Sequence, residues 1–205
     1  EFVDCGMPSL TQHKMFPLSS LLLLSGLPSM GKTSIAIQAV LGTAMKLREN
    51  NMAGCVSIHS LEMPLWRLFR RMACMLSGVE WNGIEDGKYG TGSYQFDRFQ
   101  QALDYIETLP LFVNDDDRQT SAKVVYSCEA LHLQKGPLWL TVSDYLGLFA
   151  DTGGKGEEAE PLRVSAIGRR HKSIANRTGA CVVLVSALTL TPAMMVTKFG
   201  GLGSL

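Results

Sequence analysis

The chain has 205 residues, 46% apolar and 19% charged, a composition of globular rather than disordered or fibrous proteins, and a length suited to one domain with its own core. Lys plus Arg equals Asp plus Glu at 19 each, which excludes an overall positive field for drawing in a nucleic-acid backbone; any such contact must be local. The five cysteines, Cys5, Cys55, Cys74, Cys128 and Cys181, are scattered without a C-x-x-C pair or a His at zinc-ligand spacing, so they read as reduced, mostly buried thiols.

In chain order, residues 1–17 are expected as an N-terminal extension or linker. Leu21-Leu22-Leu23-Leu24 reads as a buried strand that ends at Ser25-Gly26, and Ala36, Val40, Ala44 and Leu47 follow at helical spacing. Cys55 to Ser60 is a second strand. Pro64 opens a helix carrying Leu65, Leu68, Phe69, Met72 and Leu76 on one face before Gly78. Residues 80–94, glycine-rich with Asn82, Asp86 and Ser93, are expected as a surface loop. Phe96, Phe99, Leu103 and Ile106 mark another helix, and Leu111 to Val113 a third strand. Asn114-Asp115-Asp116-Asp117 caps that strand as a solvated turn. Thr120 or Ser121 opens a helix with Val124, Cys128 and Leu131 that stops at Gly136-Pro137.

Leu138 to Ser143 is the fourth strand. Asp151 to Glu160 reads as a polar, mobile loop, Leu162 to Arg177 as a helix with Val164, Ile167 and Ile174 inward, and Cys181 to Val185 as a fifth strand. Short apolar strands alternating with helices predict an α/β domain, with a mostly parallel central sheet and helices on both faces. Its expected extent is 18–190, leaving 191–205 as a flexible tail or a truncated remainder. No stretch matches the ~20 apolar residues of a membrane span, and no signal-peptide pattern follows Glu1. The chain is therefore expected in the cytoplasm or another reducing intracellular compartment (nucleoid-associated, or an organelle or virus-infected cell), not secreted.

The segment Gly26-Leu27-Pro28-Ser29-Met30-Gly31-Lys32-Thr33, followed by Ser34, has the spacing G-x-x-x-x-G-K-T between a strand and a helix. Glycines let backbone N–H groups converge on a β-phosphate, Lys32 can bridge β and γ oxygens, and the Thr33 hydroxyl is a Mg²⁺ ligand at a helix start. The expected ligands are ATP and Mg²⁺. Such a site also needs an Asp at the end of a neighbouring buried strand, and Asp144 is the candidate. Asp115, Asp116 and Asp117 are its rivals, although three adjacent acids more often form a solvated turn. Glu62, directly after the second strand, is either the carboxylate that activates water or an acid stabilising a helix start.

At these residues the chain resembles the C-terminal ATPase domain of DnaB-type replicative helicases, a hexameric RecA-like family. Pro28-Ser29-Met30 between the loop glycines, Ser60-Leu61-Glu62-Met63, Asp144-Tyr145-Leu146-x-Leu148 and Ile167-x-Arg169-x-x-Lys172-x-x-Ala175 carry the resemblance, in order over about residues 18–188. It implies a RecA-like P-loop NTPase with Glu62 as catalytic base. It also implies a homo-oligomeric ring, single-stranded DNA as a partner, and contacts with other replication proteins.

Three features depart from that pattern. Gly147 and Ala187 stand where the family has Gln, and no Arg follows Arg177, Lys198 being the late cation. The resemblance therefore leaves open a RecA-like binding module with weak hydrolysis and no unwinding of its own. The Asp151 to Glu160 loop offers Lys155 against four acids, a weak phosphate contact, and Arg169-Arg170-His171-Lys172 reads as a solvated basic face. A small-molecule kinase would carry an Arg-rich lid and a GTPase an Asn-Lys-x-Asp motif, and neither stands out here.

Overall fold

A computed structural model describes residues 1–151 and 159–187. The elements run α1 (Pro8–Gln12), β1 (Ser20–Gly26), α2 (Lys32–Glu49), β2 (Cys55–Ser60), α3 (Leu65–Ser77), α4 (Trp81–Glu85), α5 (Tyr94–Glu107), β3 (Leu111–Asn114), α6 (Ser121–Lys135), β4 (Leu138–Asp144), a 3-10 turn (Leu146–Leu148), α7 (Ala159–Thr178) and β5 (Cys181–Ala187). The five strands form one sheet in the order β1-β5-β4-β2-β3. Every pairing is parallel. No helix among the described residues is long and apolar enough to cross a membrane.

The period of two along the central strands sorts the core into two faces. Val56, Ile58, Leu140, Val142, Cys181, Val183 and Val185 meet Ala36, Ile37 and Val40 of α2, Leu68 and Met72 of α3, and Phe99 and Ile106 of α5. On the opposite face Val182 and Leu184 pack with Val124 and Cys128 of α6 and with Ile167 and Ile174 of α7. Helices on both faces are what a parallel sheet requires, since neither face can be left in water.

The helix ends follow local chemistry. Ser93 accepts a bond from Phe96 N at the start of α5, and Thr120 accepts from Lys123 N at the start of α6. Gly78 closes α3 with φ 67°, a conformation that favours glycine. The acids after β3 are similarly employed: Asp115 Oδ2 accepts from Leu65 N at 2.8 Å, tying the start of α3 to the edge of the sheet.

Several boundaries differ from the sequence reading. Residues 80–94 are not all loop. They contain α4, whose Trp81 donates to Glu85 Oε2 at 2.9 Å and packs at a tilt against Phe99, ring centroids 5.7 Å apart; five residues are too few for a periodic signal. The helix expected from Leu162 begins at Ala159, with Pro161 in its first turn, where a missing N–H costs nothing. Leu21 to Leu24 lies in an edge strand, so it is only half covered, and Leu23 is 61% exposed. The loop expected from Asp151 to Glu160 falls largely on residues 152–158, which lie outside the described residues, as does the segment 191–205.

Residues 1–17, expected as an extension or linker, lie against the domain. Val3 N donates to Phe16 O at 2.8 Å, and Val3, Cys5 and Phe16 are buried. A β-carbon at Gly42 on α2 would stand 2.0 Å from the Cys5 carbonyl oxygen, so only glycine allows this approach.

The α6/α7 side of β2 and β4 is polar. Ser57, His59, Thr141 and Ser143 are all buried there. Ser57 Oγ donates to Thr141 Oγ1 at 2.7 Å, while Cys128 Sγ stands 3.5 Å from both Thr141 Oγ1 and His59 Nε2. His171, expected on a solvated basic face, is instead fully buried. Its Nδ1–H donates to the Ile167 carbonyl at 2.9 Å, so the neutral ring accepts at Nε2 from the Ser143 hydroxyl, also at 2.9 Å. Its neighbour Arg170 pairs with Asp151, so the cluster divides between core and surface.

Burial drives the His59 pKa down to about 4, with the nearby His171 adding to the effect and Gln119 opposing it. Burial also lowers His171, against the Ile167 carbonyl and Asp151. An unfolded imidazole takes up its proton near pH 6.5, well before folded His59 does, so stability must fall as pH drops through that window. Between pH 7 and pH 5 the His59 contribution alone should reduce unfolding free energy by about 2 kcal/mol. Urea titrations at the two pH values measure it; an unchanged free energy would contradict the buried neutral assignment.

Candidate functional site

The parallel register brings four strand ends to one edge. Gly26 pairs with Ala187, and Ser60 pairs with Asp144. The glycine loop therefore leaves β1 beside the end of β5, while β4 and β2 deliver Asp144 and the Glu62 turn side by side. Leu61 N donates to Asp144 O at 2.8 Å, extending the ladder past the last strand residue. Ser60 Oγ donates to Met63 O at 2.7 Å and accepts from Met63 N, closing the turn that carries Glu62.

In the loop, Gly31 has φ 78° and caps α2, a backbone conformation that favours glycine. No acidic residue lies in the first turn of α2, so its N–H groups and dipole are free to receive an anion. Lys32 Nζ donates to the carbonyls of Gly26 at 2.8 Å and Leu27 at 2.7 Å, which holds the ammonium across the loop.

A cleft of about 560 Å³ opens above these strand ends, lined by Pro28, Ser29, Gly31, Lys32, Thr33, Ser34, Glu62, Arg71, Asp144, Tyr145, Val185 and Ala187. That volume is of the size that holds a small ligand. Of the residues singled out from sequence, Pro28, Ser29, Gly31, Lys32, Thr33, Ser34, Glu62 and Asp144 meet here. Gly26 and Leu27 stand behind them as acceptors for Lys32, and Met30 is turned to solvent, 67% exposed.

Asp144 is buried, and its Oδ1 has no hydrogen-bond partner. Burial raises its pKa above the usual carboxylate value; the Thr33 hydroxyl, Lys32 and Arg71 pull it down, and Glu62 pushes it up. A buried carboxylate oxygen without a partner, next to a threonine hydroxyl, fits a hard cation. Among the described residues no three His, Cys, Asp or Glu side chains converge, so any cation here must complete its shell with water and with oxygens of a ligand, as Mg²⁺ does at phosphate sites. The rival acids Asp115 to Asp117 follow β3 at the far edge of the sheet, where Asp115 caps α3 and Asp116 pairs with Lys123. Arg71 and Tyr145 also line the cleft, without having been assigned to it from sequence. Tyr145 directly follows Asp144; Arg71 is nine positions after Glu62, and only the return of α3 along the sheet brings it back.

A parallel five-stranded sheet with a glycine loop at the end of its first strand defines a RecA-like α/β domain. The model of the DnaB-like helicase C-terminal domain matches residues 4–194, and the chain belongs to that family. It is 27% identical over 174 residues to the replicative DNA helicase DnaB of Geobacillus stearothermophilus, covering 85% of this chain and 36% of the relative. With the replicative DNA helicase DnaB of Synechocystis it shares 30% over 172 residues, 83% of this chain and 18% of the relative. The chain thus spans about a third or less of these relatives' length. Two solved structures share its fold at 20% identity. One, an ATPase domain, superposes with a TM-score of 0.79, over 92% of this chain and 64% of its own. The other, a DnaB-like replicative helicase described with its interactions with primase, gives 0.80, over 97% and 45%.

Proposed function

We propose that the chain is the ATP-binding and ATP-hydrolysing motor domain of a DnaB-like replicative helicase acting on single-stranded DNA. The observation that carries this reading is the convergence, in one cleft, of a phosphate loop, a buried carboxylate with a free oxygen beside Thr33, and Glu62. In it the backbone of residues 26–34 cradles the phosphates, and Lys32 exchanges its two carbonyl partners for phosphate oxygens. Thr33 and Asp144 would hold Mg²⁺, which would supply charge neutralisation to the phosphates. Glu62 orients and deprotonates the attacking water. Family membership supports a homo-oligomeric, hexameric ring around the DNA and contacts with other replication proteins such as primase, inside the cell.

Ala187 favours a second reading, an ATP-dependent binding module or helicase-related subunit with weak hydrolysis and no unwinding of its own. It sits at the cleft beside Gly26 and offers only a methyl group where a polar sensor of the terminal phosphate would stand. Calorimetry with ATP, with and without Mg²⁺, and turnover with and without single-stranded DNA decide between them. The motor reading expects Mg²⁺-dependent binding and turnover that rises when DNA is added. Binding without DNA-stimulated turnover supports the second reading, and absence of nucleotide binding removes both.

A further inference from the structure

The buried polar layer between the sheet and helices α6 and α7 runs up to the cleft at Ser143. Adjacent strand residues face opposite ways: Asp144 lines the cleft, while the Ser143 hydroxyl donates to His171 Nε2 on α7 at 2.9 Å. Ser143 is also where β4 loses one of its neighbours. Pairing with β5 ends at Ser143–Leu184, whereas pairing with β2 continues to Ser60–Asp144. Asp144 is thus held by the sheet on one side only, and the Ser143–His171 bond is the tether immediately behind it. His171 is itself fixed. Its Nδ1–H donates to the Ile167 carbonyl at 2.9 Å, and Phe149 meets the ring edge-on with centroids 5.2 Å apart. Arg163, also on α7, donates to the Phe149 carbonyl at 3.0 Å. Helix α7 therefore grips the exit of β4 at Ser143 and again at Phe149, with the cleft residues Asp144 and Tyr145 between.

Resting on the reading of the cleft as a Mg²⁺–triphosphate site, we infer that His171 is a positioning residue for Asp144. Acting through Ser143, it holds the end of β4 where the Asp144 carboxylate stands beside Thr33 with Oδ1 free. An apolar pair, like the neighbouring Ile167, Ile174 and Val182, would bury as much surface but leave the strand end free to slide. A short bond between two groups that are both 0% exposed admits one position. Mg²⁺ demands near-ideal octahedral oxygens, so displacing Asp144 costs metal before it costs phosphate. The glycine loop and Lys32 hang from β1 and α2, and their share of nucleotide binding does not depend on β4.

A positioning role separates Mg²⁺-dependent from Mg²⁺-independent binding, and a merely structural role does not. Calorimetry with a non-hydrolysable ATP analogue, in Mg²⁺ and in EDTA, gives the ratio of the two affinities. It is to be measured for the wild type, His171→Leu, Ser143→Ala, the double variant, His171→Gln and Ser57→Ala, with thermal melts to confirm folding. His171→Leu and Ser143→Ala should each cut the ratio by about fivefold or more while moving the EDTA affinity by less than about twofold. The double variant should lose no more than either alone, because both changes remove the same bond. His171→Gln, which can place an acceptor near the position of Nε2, should recover most of the ratio. Ser57→Ala breaks the neighbouring buried bond to Thr141 and should lower the melting temperature without moving the ratio. An unchanged ratio in His171→Leu, additive losses, no recovery in His171→Gln, or the same loss in Ser57→Ala would each overturn the inference while leaving the nucleotide site in place. Wild-type binding that ignores Mg²⁺, or no binding at all, would instead remove the underlying reading and the inference with it. If His171→Leu does not fold, Ser143→Ala, which deletes a single oxygen, decides against Ser57→Ala.

Discussion

Lys32→Ala is expected to weaken triphosphate binding by about 30-fold or more without changing the melting temperature. The ammonium belongs to the cleft lining and bonds only to the carbonyls of Gly26 and Leu27. Both acceptors lie at the loop, where water can replace the lost donor, so the fold should be indifferent to the change. Phosphate oxygens in the partly enclosed cleft would lose a charged donor, and truncating one member of such a pair costs about 2–5 kcal/mol. At ~1.4 kcal/mol per tenfold, that range corresponds to roughly 30-fold to several thousandfold. Calorimetry on the folded variant measures it. Retained affinity would detach the loop from nucleotide binding altogether.

Glu62→Gln should do the opposite, keeping nucleotide affinity within a few fold while lowering turnover by about 10²-fold or more, the usual scale for loss of a general base. The side chain is exposed on a turn that Ser60 closes by two bonds to Met63, and Gln is nearly isosteric, so the turn should survive. Single-turnover measurements at saturating ATP separate the two effects. Unchanged turnover would leave Glu62 as a helix-start acid. The base would then have to be sought elsewhere in the cleft, because Asp115 and Asp116 are engaged at the far edge of the sheet.

Much of this arrangement was legible in the sequence because it is written in short local signals. The order of apolar runs and amphipathic stripes predicted the five strands, and the loop spacing located the cleft. Asp144 was singled out because the strand Leu138 to Ser143 runs directly into it, and the structure places it in the cleft. What the sequence concealed depends on returns through space. Arg71 looks like one of three equivalent arginines until α3 is laid along the sheet, and α4 is too short to print a period. His171 stands among basic residues and reads as surface. Only the meeting of Ser143 with α7 shows that its imidazole is a neutral core group. Leu23 misled in the other direction, since an edge strand and a central one can carry the same run of leucines.

The strand order divides the site in a way that its contact geometry does not announce. The phosphate loop hangs from β1 and the two acids from β4 and β2, so β5 is the spacer between cradle and carboxylates. β5 is paired with β1 from Ser20–Cys181 to Gly26–Ala187 and with β4 from Leu140–Cys181 to Ser143–Leu184, so one strand held in register on both sides sets the gap that a terminal phosphate must bridge. At the end of that spacer stands Ala187, whose methyl group cannot tie the halves together. A bound polyphosphate would itself be the crosslink between the loop on β1 and the acids on β4 and β2.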